Sequence, residues 1–391
     1  MLTASNFITC FIVIYLWGGI LLYNYLHIGL IDELLVSLLF VYTLCVKYKN
    51  GKIFLNKEFG WFMLVSFFYL AYSCAIKTNT LQAALMDYLQ EIKPYVTFYC
   101  IYMLHPVFSS LQCKVIRRHC LAVFVVALLN MPAYGGSFME SHPTMLAALS
   151  TLLFLFYLYF SDRSHKATLR AWLMFTYGWL SGRSKFFATY IATAVLWKMK
   201  GKFRLSDTRT FVGMVLTGIV IVVVIWEKFN IYVVAAFAGE ELTARAALYV
   251  TSFLLLKDFF PFGSGLGTFA THASRVYYSP LYDQYNLSHV WGLSRDMSEF
   301  ITDTFFPVLA QFGVVGILLF CLFWRKRYLQ LKNLPDLTEY KIGLVILLVL
   351  CFESFADTTL LSSKGVGYCL LLGILLGKHT PVQNSEVWKP L

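Results

Sequence analysis

Four basic side chains stand where the surrounding sequence has little other charge. Arg183 and Lys185 occupy the tight turn Ser181-Gly182-Arg183-Ser184-Lys185 between two short apolar segments. Two cations in one turn suit an anion, although such residues also snorkel to lipid head groups or pair with a nearby carboxylate. Arg245 opens the apolar run Thr243-Ala244-Arg245-Ala246-Ala247-Leu248. An arginine in the first turn of a helix opposes the macrodipole, which favours anions there, so a bound anion would account for it. Arg275 is a further basic candidate, with simple solvation as the alternative.

The same stretch supplies groups for proton transfer: His272, His289, Asp296, Glu299 and Asp303. Asp303 stands where the chain turns into the apolar run Thr304-Phe305-Phe306. A carboxylate there is partly desolvated and its pKa rises, as a general base requires; the alternative is a helix N-cap, which Asp also favours. His142, before Pro143, reads as structural. Glu353 and Asp357 lie one helical turn apart near the end of an apolar run, and a carboxylate pair within a membrane is a functional hypothesis by default.

Absences narrow the chemistry. The eight histidines form no HxxxH or HExxH spacing, so no zinc site is indicated. There is no Gly-x-Ser-x-Gly elbow and no Asp-x-Asp pair to hold a metal on a nucleotide sugar. The segment Pro261-Phe262-Gly263-Ser264-Gly265-Leu266-Gly267-Thr268-Phe269 has the composition of a phosphate-cradling loop. It lacks the Gly-Lys-Ser/Thr of a P-loop, and a tight turn returning the chain to the membrane is the better reading. An enzyme built from these residues works outside the cytoplasm, without nucleotide, cofactor or metal.

The elements that must position these groups are apolar helices. The 391 residues are 59% hydrophobic and only 14% charged, against about 25% charged in a soluble domain. A bilayer core about 30 Å thick takes roughly 20 residues per helix. The apolar runs predict spans at about 7–26, 32–46, 59–76, 92–112, 119–134, 144–161, 168–182, 184–198, 210–227, 303–323, 341–358 and 361–377, the pair around Gly182 being open to a reading as one kinked span. The fold class is therefore all-α: residues 1–391 form a single integral membrane domain of about twelve spans, the first kept as a signal anchor.

The net charge of +11 follows from topology rather than from nucleic acid. Twenty-two of the 32 Lys and Arg fall in alternate loops, from Lys47 to Lys57, Lys114 to Arg118, Arg163 to Arg170, Lys198 to Arg209, Arg325 to Lys341, and Lys378 to Lys389. By the positive-inside rule these loops and both termini are cytoplasmic. The ten on the other side are Lys77, Lys93, Arg183, Lys185, Lys228, Arg245, Lys257, Arg275, Arg295 and Lys364. Residues 227–301 then form one long outer loop, too long for a mere connector. Leu242 to Lys257 reads as an interfacial helix within it. Nine cysteines lie in or beside apolar segments, none of them in this loop, so no disulfide framework is expected.

Four stretches in this order resemble the bacterial O-antigen polymerase and O-antigen ligase superfamily of lipid-linked glycan transferases. They are Ser141-His142-Pro143-Thr144, Ser181-Gly182-Arg183-Ser184, Thr243-Ala244-Arg245 leading into the glycine-rich segment, and Asp303-Thr304-Phe305-Phe306 followed by Gln311-Phe312-Gly313-Val314-Val315-Gly316. The resemblance covers most of the chain in topology and about 180–316 in motif. It implies a periplasmic active site in the bacterial inner membrane, with Arg183 and Arg245 binding the diphosphate of an undecaprenyl-diphosphate donor. The ligases carry a histidine at the end of the long loop, where this chain reads Ile301-Thr302-Asp303. That departure favours a polymerase, with Asp303, His272 or Glu299 as base. Lys185 and Arg275 would assist the arginines, and Tyr277, Tyr278, Tyr282, Tyr285 and Trp291 could stack on sugar rings. The implied partners are lipid-linked repeat units, membrane lipid, a chain-length regulator and a flippase. The alternatives are the ligase, moving the finished chain to lipid A core, and a flippase or transporter for the same lipid-linked sugars. The nearly charge-free middle of the predicted spans argues against a transporter.

Overall fold

The computed structural model of the protein describes residues 3–22, 31–49, 56–129, 143–202, 218 and 243–379. Among them every regular element is helical and there is no strand, so the fold is all-α. The α-helices are α1 (Ala4–Ile14, continued by a π-helical stretch Tyr15–Leu22), α2 (Ile31–Lys49), α3 (Lys57–Ile76), α4 (Leu81–Leu104), α5 (Ser110–Leu129), α6 (Pro143–Tyr159), α7 (His165–Tyr177), α8 (Ser184–Lys198), α9 (Ala244–Asp258), α10 (His272–Val276), α11 (Leu281–Gln284), α12 (Gly313–Lys332), α13 (Leu337–Ser354) and α14 (Ser363–Gly377). The expected span at 210–227, the first part of the outer loop up to 242, and His142 lie outside the described residues.

Local sequence explains where many helices begin. The side chains of Asn56, Thr80, Ser164, Thr243, Thr271 and Asp336 each accept a backbone N–H in the first turn of the following helix. Short polar side chains do this because the first turn has N–H groups with no partner inside the helix. The pair around Gly182 resolves into two helices. Gly182 adopts φ +62°, and α8 runs back along α7 through Phe175 on Phe186 (5.3 Å), Trp172 on Tyr190 (5.6 Å) and Trp172 on Trp197 (6.3 Å).

Two helical stretches, Lys57–Ile76 and Phe306–Lys332, are long and apolar enough to cross a membrane. The second joins α12 to the 3-10 turn before it, and α3 turns Trp61, Leu64, Phe67 and Phe68 outward. At the centre, α14 is buried along its whole length and packs against α4. A Cβ on Gly373 would sit 2.9 Å from the Phe98 carbonyl oxygen, so the small residue lets the two backbones approach.

One expected span is displaced. The run at 92–112 corresponds to α4, which begins at Leu81, ends at Leu104 and stops where His105 turns left-handed (φ +44°) before Pro106. Its first turns carry Gln82, Asp87, Gln90, Glu91 and Lys93, too polar for a span. Asp87, Glu91 and Lys93 are nevertheless buried. Lys93 lies 2.5 Å from Asp32 and 2.6 Å from Glu33, and Asp87 holds the outer loop. The helical interior is therefore less free of charge than the sequence suggested.

Ion pairs sort into two groups. One joins Arg117 to Asp162, Arg163 to Asp336 and Glu339, Lys326 and Arg327 to Glu58, and Lys378 and His379 to Glu339. The other joins Lys93 to Asp32 and Glu33, Lys185 to Glu353 and Asp357, Lys364 to Asp357, Arg245 to Asp303, and Arg295 to Asp283. No acidic residue in these pairs takes partners from both of the sides assigned above. Along α13, Glu339 stands near the first end and Glu353 near the last.

Candidate active site

Five segments converge on one charged cluster: the starts of α8, α9 and α14, the end of α13, and residues 303–305. Phe305 donates its N–H to the Ser354 carbonyl (3.0 Å), and the Tyr249 hydroxyl donates to the Phe355 carbonyl (3.1 Å). These two bonds fasten the end of the outer loop and α9 to the end of α13.

Within the cluster the Arg245 guanidinium lies 2.9 Å from Asp303 Oδ2. Burial raises the pKa of Asp303 and the nearby Asp357 carboxylate adds to this; Arg245 and Lys185 act the other way. The raised direction is the one expected for a base. The N-cap alternative fails, since the following 3-10 turn Phe306–Phe312 has no side-chain cap.

Lys185 is not a lone cation waiting for a phosphate. Its Nζ lies 2.5 Å from Glu353 and 3.3 Å from Asp357, and Lys364 reaches Asp357 at 2.6 Å. The Glu353 and Asp357 pair therefore serves as counter-charge to two lysines. Sequence reading passed over Lys364; its signal was its place among the ten basic residues expected on the outer side. Lys185, Lys364 and Arg245 balance Asp303, Glu353 and Asp357, and Arg183 holds the N-cap position of α8, two residues before Lys185.

The other candidates lie elsewhere. His272 begins α10, where burial lowers its pKa and the Arg275 and Lys93 cations lower it further. Its electrostatic neighbours are thus Arg275 and Lys93 rather than the Arg245 and Asp303 pair. Glu299 is exposed at the start of the 3-10 turn Glu299–Thr302. Tyr278 donates its hydroxyl to the Leu293 carbonyl (2.9 Å), while Arg295 lies over its ring at 4.9 Å. Tyr282 is fully buried, and Tyr285 donates to Asp258 (2.7 Å). The ring most open to a sugar is Trp291, 69% exposed.

The glycine-rich segment is a structural rivet. The Leu266 N–H donates to Ser73 Oγ (2.7 Å), that of Gly267 to Asp87 (2.7 Å), and those of Thr268 and Phe269 to the Gln311 side chain (2.6 and 3.1 Å). With these N–H groups taken, it cradles no phosphate. Gly263 (φ +84°) and Gly313 (φ +61°) face each other so closely that a Cβ on either would overlap the other's backbone.

An apolar cleft of about 140 Å³ lies beside the cluster, walled by α3, α4 and the helical stretch 306–332. Its lining is largely aromatic and includes Phe305, two residues after Asp303, and one carboxyl, Glu91. Glu91 Oε1 is buried without a hydrogen-bond partner. Among the described residues no three His, Cys, Asp or Glu side chains are gathered to hold a metal ion. No protein-family model matches the chain, and no curated protein matches it.

Proposed function

We propose that this protein is an integral membrane glycosyltransferase that polymerises lipid-linked oligosaccharide repeat units at the outer face of the bacterial inner membrane. The observation that carries the reading is the Arg245 and Asp303 pair, 2.9 Å apart, one in the first turn of α9 and the other just before the helical stretch 306–332. An O-antigen or capsule polymerase needs a cation for the leaving diphosphate and a base for the incoming hydroxyl, both beside the bilayer.

Asp303 takes the proton from the acceptor sugar hydroxyl. The oxygen so freed forms a bond to the anomeric carbon of the donor as that carbon's bond to the diphosphate oxygen breaks. The electron pair leaves with undecaprenyl diphosphate, where Arg245 and Arg183 stabilise the charge as it develops. Direct displacement inverts the anomeric centre. The chemistry uses neither nucleotide nor metal, and the apolar cleft accommodates part of the lipid chain.

The reading places about twelve spans in the membrane with both termini cytoplasmic. Two observations support it: the outward apolar face of α3, and the pairing of Glu339 at the first end of α13 with Arg163 while Glu353 at its last end pairs with Lys185. The full chain in lipid nanodiscs, given undecaprenyl-diphosphate-linked repeat units, is expected to release undecaprenyl diphosphate and form longer glycans. Movement of the substrate across the bilayer with no new glycosidic bond would overturn the reading. A null strain is expected to keep single repeats on lipid A core; loss of every repeat would mark a ligase.

A further inference from the structure

We infer that Trp291 and the Arg295–Asp283 pair form a carbohydrate subsite for the acceptor sugar, an assignment that rests on the polymerase reading for its place in the reaction. Trp291 is 69% exposed. Its ring meets the Phe300 ring at 4.9 Å and 60°, an edge contact that fixes it while leaving much of its surface open.

The backbone beneath is held from two sides. Phe300 N–H donates to the Gly292 carbonyl (3.1 Å), and Tyr278 Oη donates to the Leu293 carbonyl (2.9 Å). Gly292 adopts φ +88°, and a Cβ there would run into the Phe300 ring, so glycine is needed for Phe300 to sit under Trp291. An exposed tryptophan prepared in this way loses little freedom when a ligand stacks on it.

The polar half is centred on Arg295, four residues further along the same loop. Arg295 lies over Tyr278 at 4.9 Å and is 3.1 Å from Asp283, and both charged side chains are largely exposed. A guanidinium and a carboxylate side by side donate to and accept from hydroxyls, as a pyranose requires; a hydrocarbon chain would leave them unpaired. Phe300 also precedes Asp303 by three residues through a 3-10 turn, about 6 Å at 2 Å per residue. Phe300 thus links the Trp291 ring to the segment that carries the candidate base.

The test uses the full chain in nanodiscs and the oligosaccharide released by mild acid from the host's own lipid-linked repeat units, with binding followed by saturation-transfer NMR. Wild type is expected to bind. Trp291→Leu should lose about tenfold in affinity, the scale of one aromatic contact, and Trp291→Tyr should lose less. Trp61→Leu, on the outward face of α3, should bind as wild type does. If wild type fails to bind, or if Trp291→Leu binds equally well, the ring is a head-group anchor and the proposal is overturned. Binding by a protein that forms no polymer would overturn the polymerase reading and leave the subsite standing.

Discussion

Arg245 and Asp303 are 58 residues apart in sequence and 2.9 Å apart in space. The pair couples the charge that would stabilise a leaving diphosphate to the group that would accept a proton. Arg245→Ala is expected to lower kcat for polymerisation by about a hundredfold to a thousandfold, the cost of removing one stabilising donor from an active site. Asp303→Asn should do the same, although it is nearly isosteric. The exchange Arg245→Asp with Asp303→Arg keeps an ion pair, so it should express and melt like wild type while remaining inactive. Polymer made by the exchanged protein at wild-type rate would show that the pair is only structural.

The pH profile follows from the direction of the Asp303 shift. Burial raises its pKa above the ordinary carboxylate value, and a base acts only when deprotonated, so kcat/KM should fall as pH drops through that raised value. Arg245 holds the pKa down, so Arg245→Lys should keep the acid limb near its wild-type position and Arg245→Ala should move it to higher pH. His272 is pushed the other way, toward the neutral ring, by burial, Arg275 and Lys93. His272→Gln should leave the acid limb in place; a profile that loses the limb in that variant would transfer the role of base to His272.

Lys185 sits between Glu353 and Asp357, and its loss leaves carboxylates under-compensated in a largely buried site. Lys185→Ala is expected to cost about 3 kcal/mol in stability, the scale of breaking a buried pair from one side. Adding Glu353→Gln should return at least about 1 kcal/mol, a coupling that thermal melts of the four proteins in a double-mutant cycle would measure. Additive losses would mean that the two side chains do not interact.

The sidedness of the ion pairs can be read by labelling. On a cysteine-free background, Arg295→Cys is expected to react with a membrane-impermeant maleimide from the periplasmic side, and Arg163→Cys only after the inner membrane is opened. Equal reactivity at both positions would contradict the proposed topology.

Much of this arrangement is legible in the sequence, because helices in a low-charge chain are bounded by charge and capped by short polar residues. Thr243 before α9 and the turn at Gly182 are examples that periodicity and local chemistry locate to within a residue or two. The misplaced start of α4 has a different origin. Asp87 and Lys93 look like loop residues, and partners distant in sequence, Gly267 and Gln311 for the first and Asp32 and Glu33 for the second, make their burial tolerable. The same holds for Lys185: its basic character suggested an anion, but its carboxylate partners lie about 170 residues further on. The separation of His272 from Asp303 is likewise tertiary, since 31 residues of loop can fold in many ways. Local propensity carries no information about such long-range pairing, whereas the identity of the cations does.

The contact of Gly263 with Gly313 has a kinetic consequence. With the glycine-rich segment fastened to Gln311 and Asp87 and backbone pressed on backbone at these two glycines, residues 263–269 form a fixed point rather than a hinge. On the proposed reading, the moving parts of the cycle would be the lipid-linked substrates, which would diffuse sideways to a stationary site. Turnover on that reading would be paced by the viscosity of the bilayer.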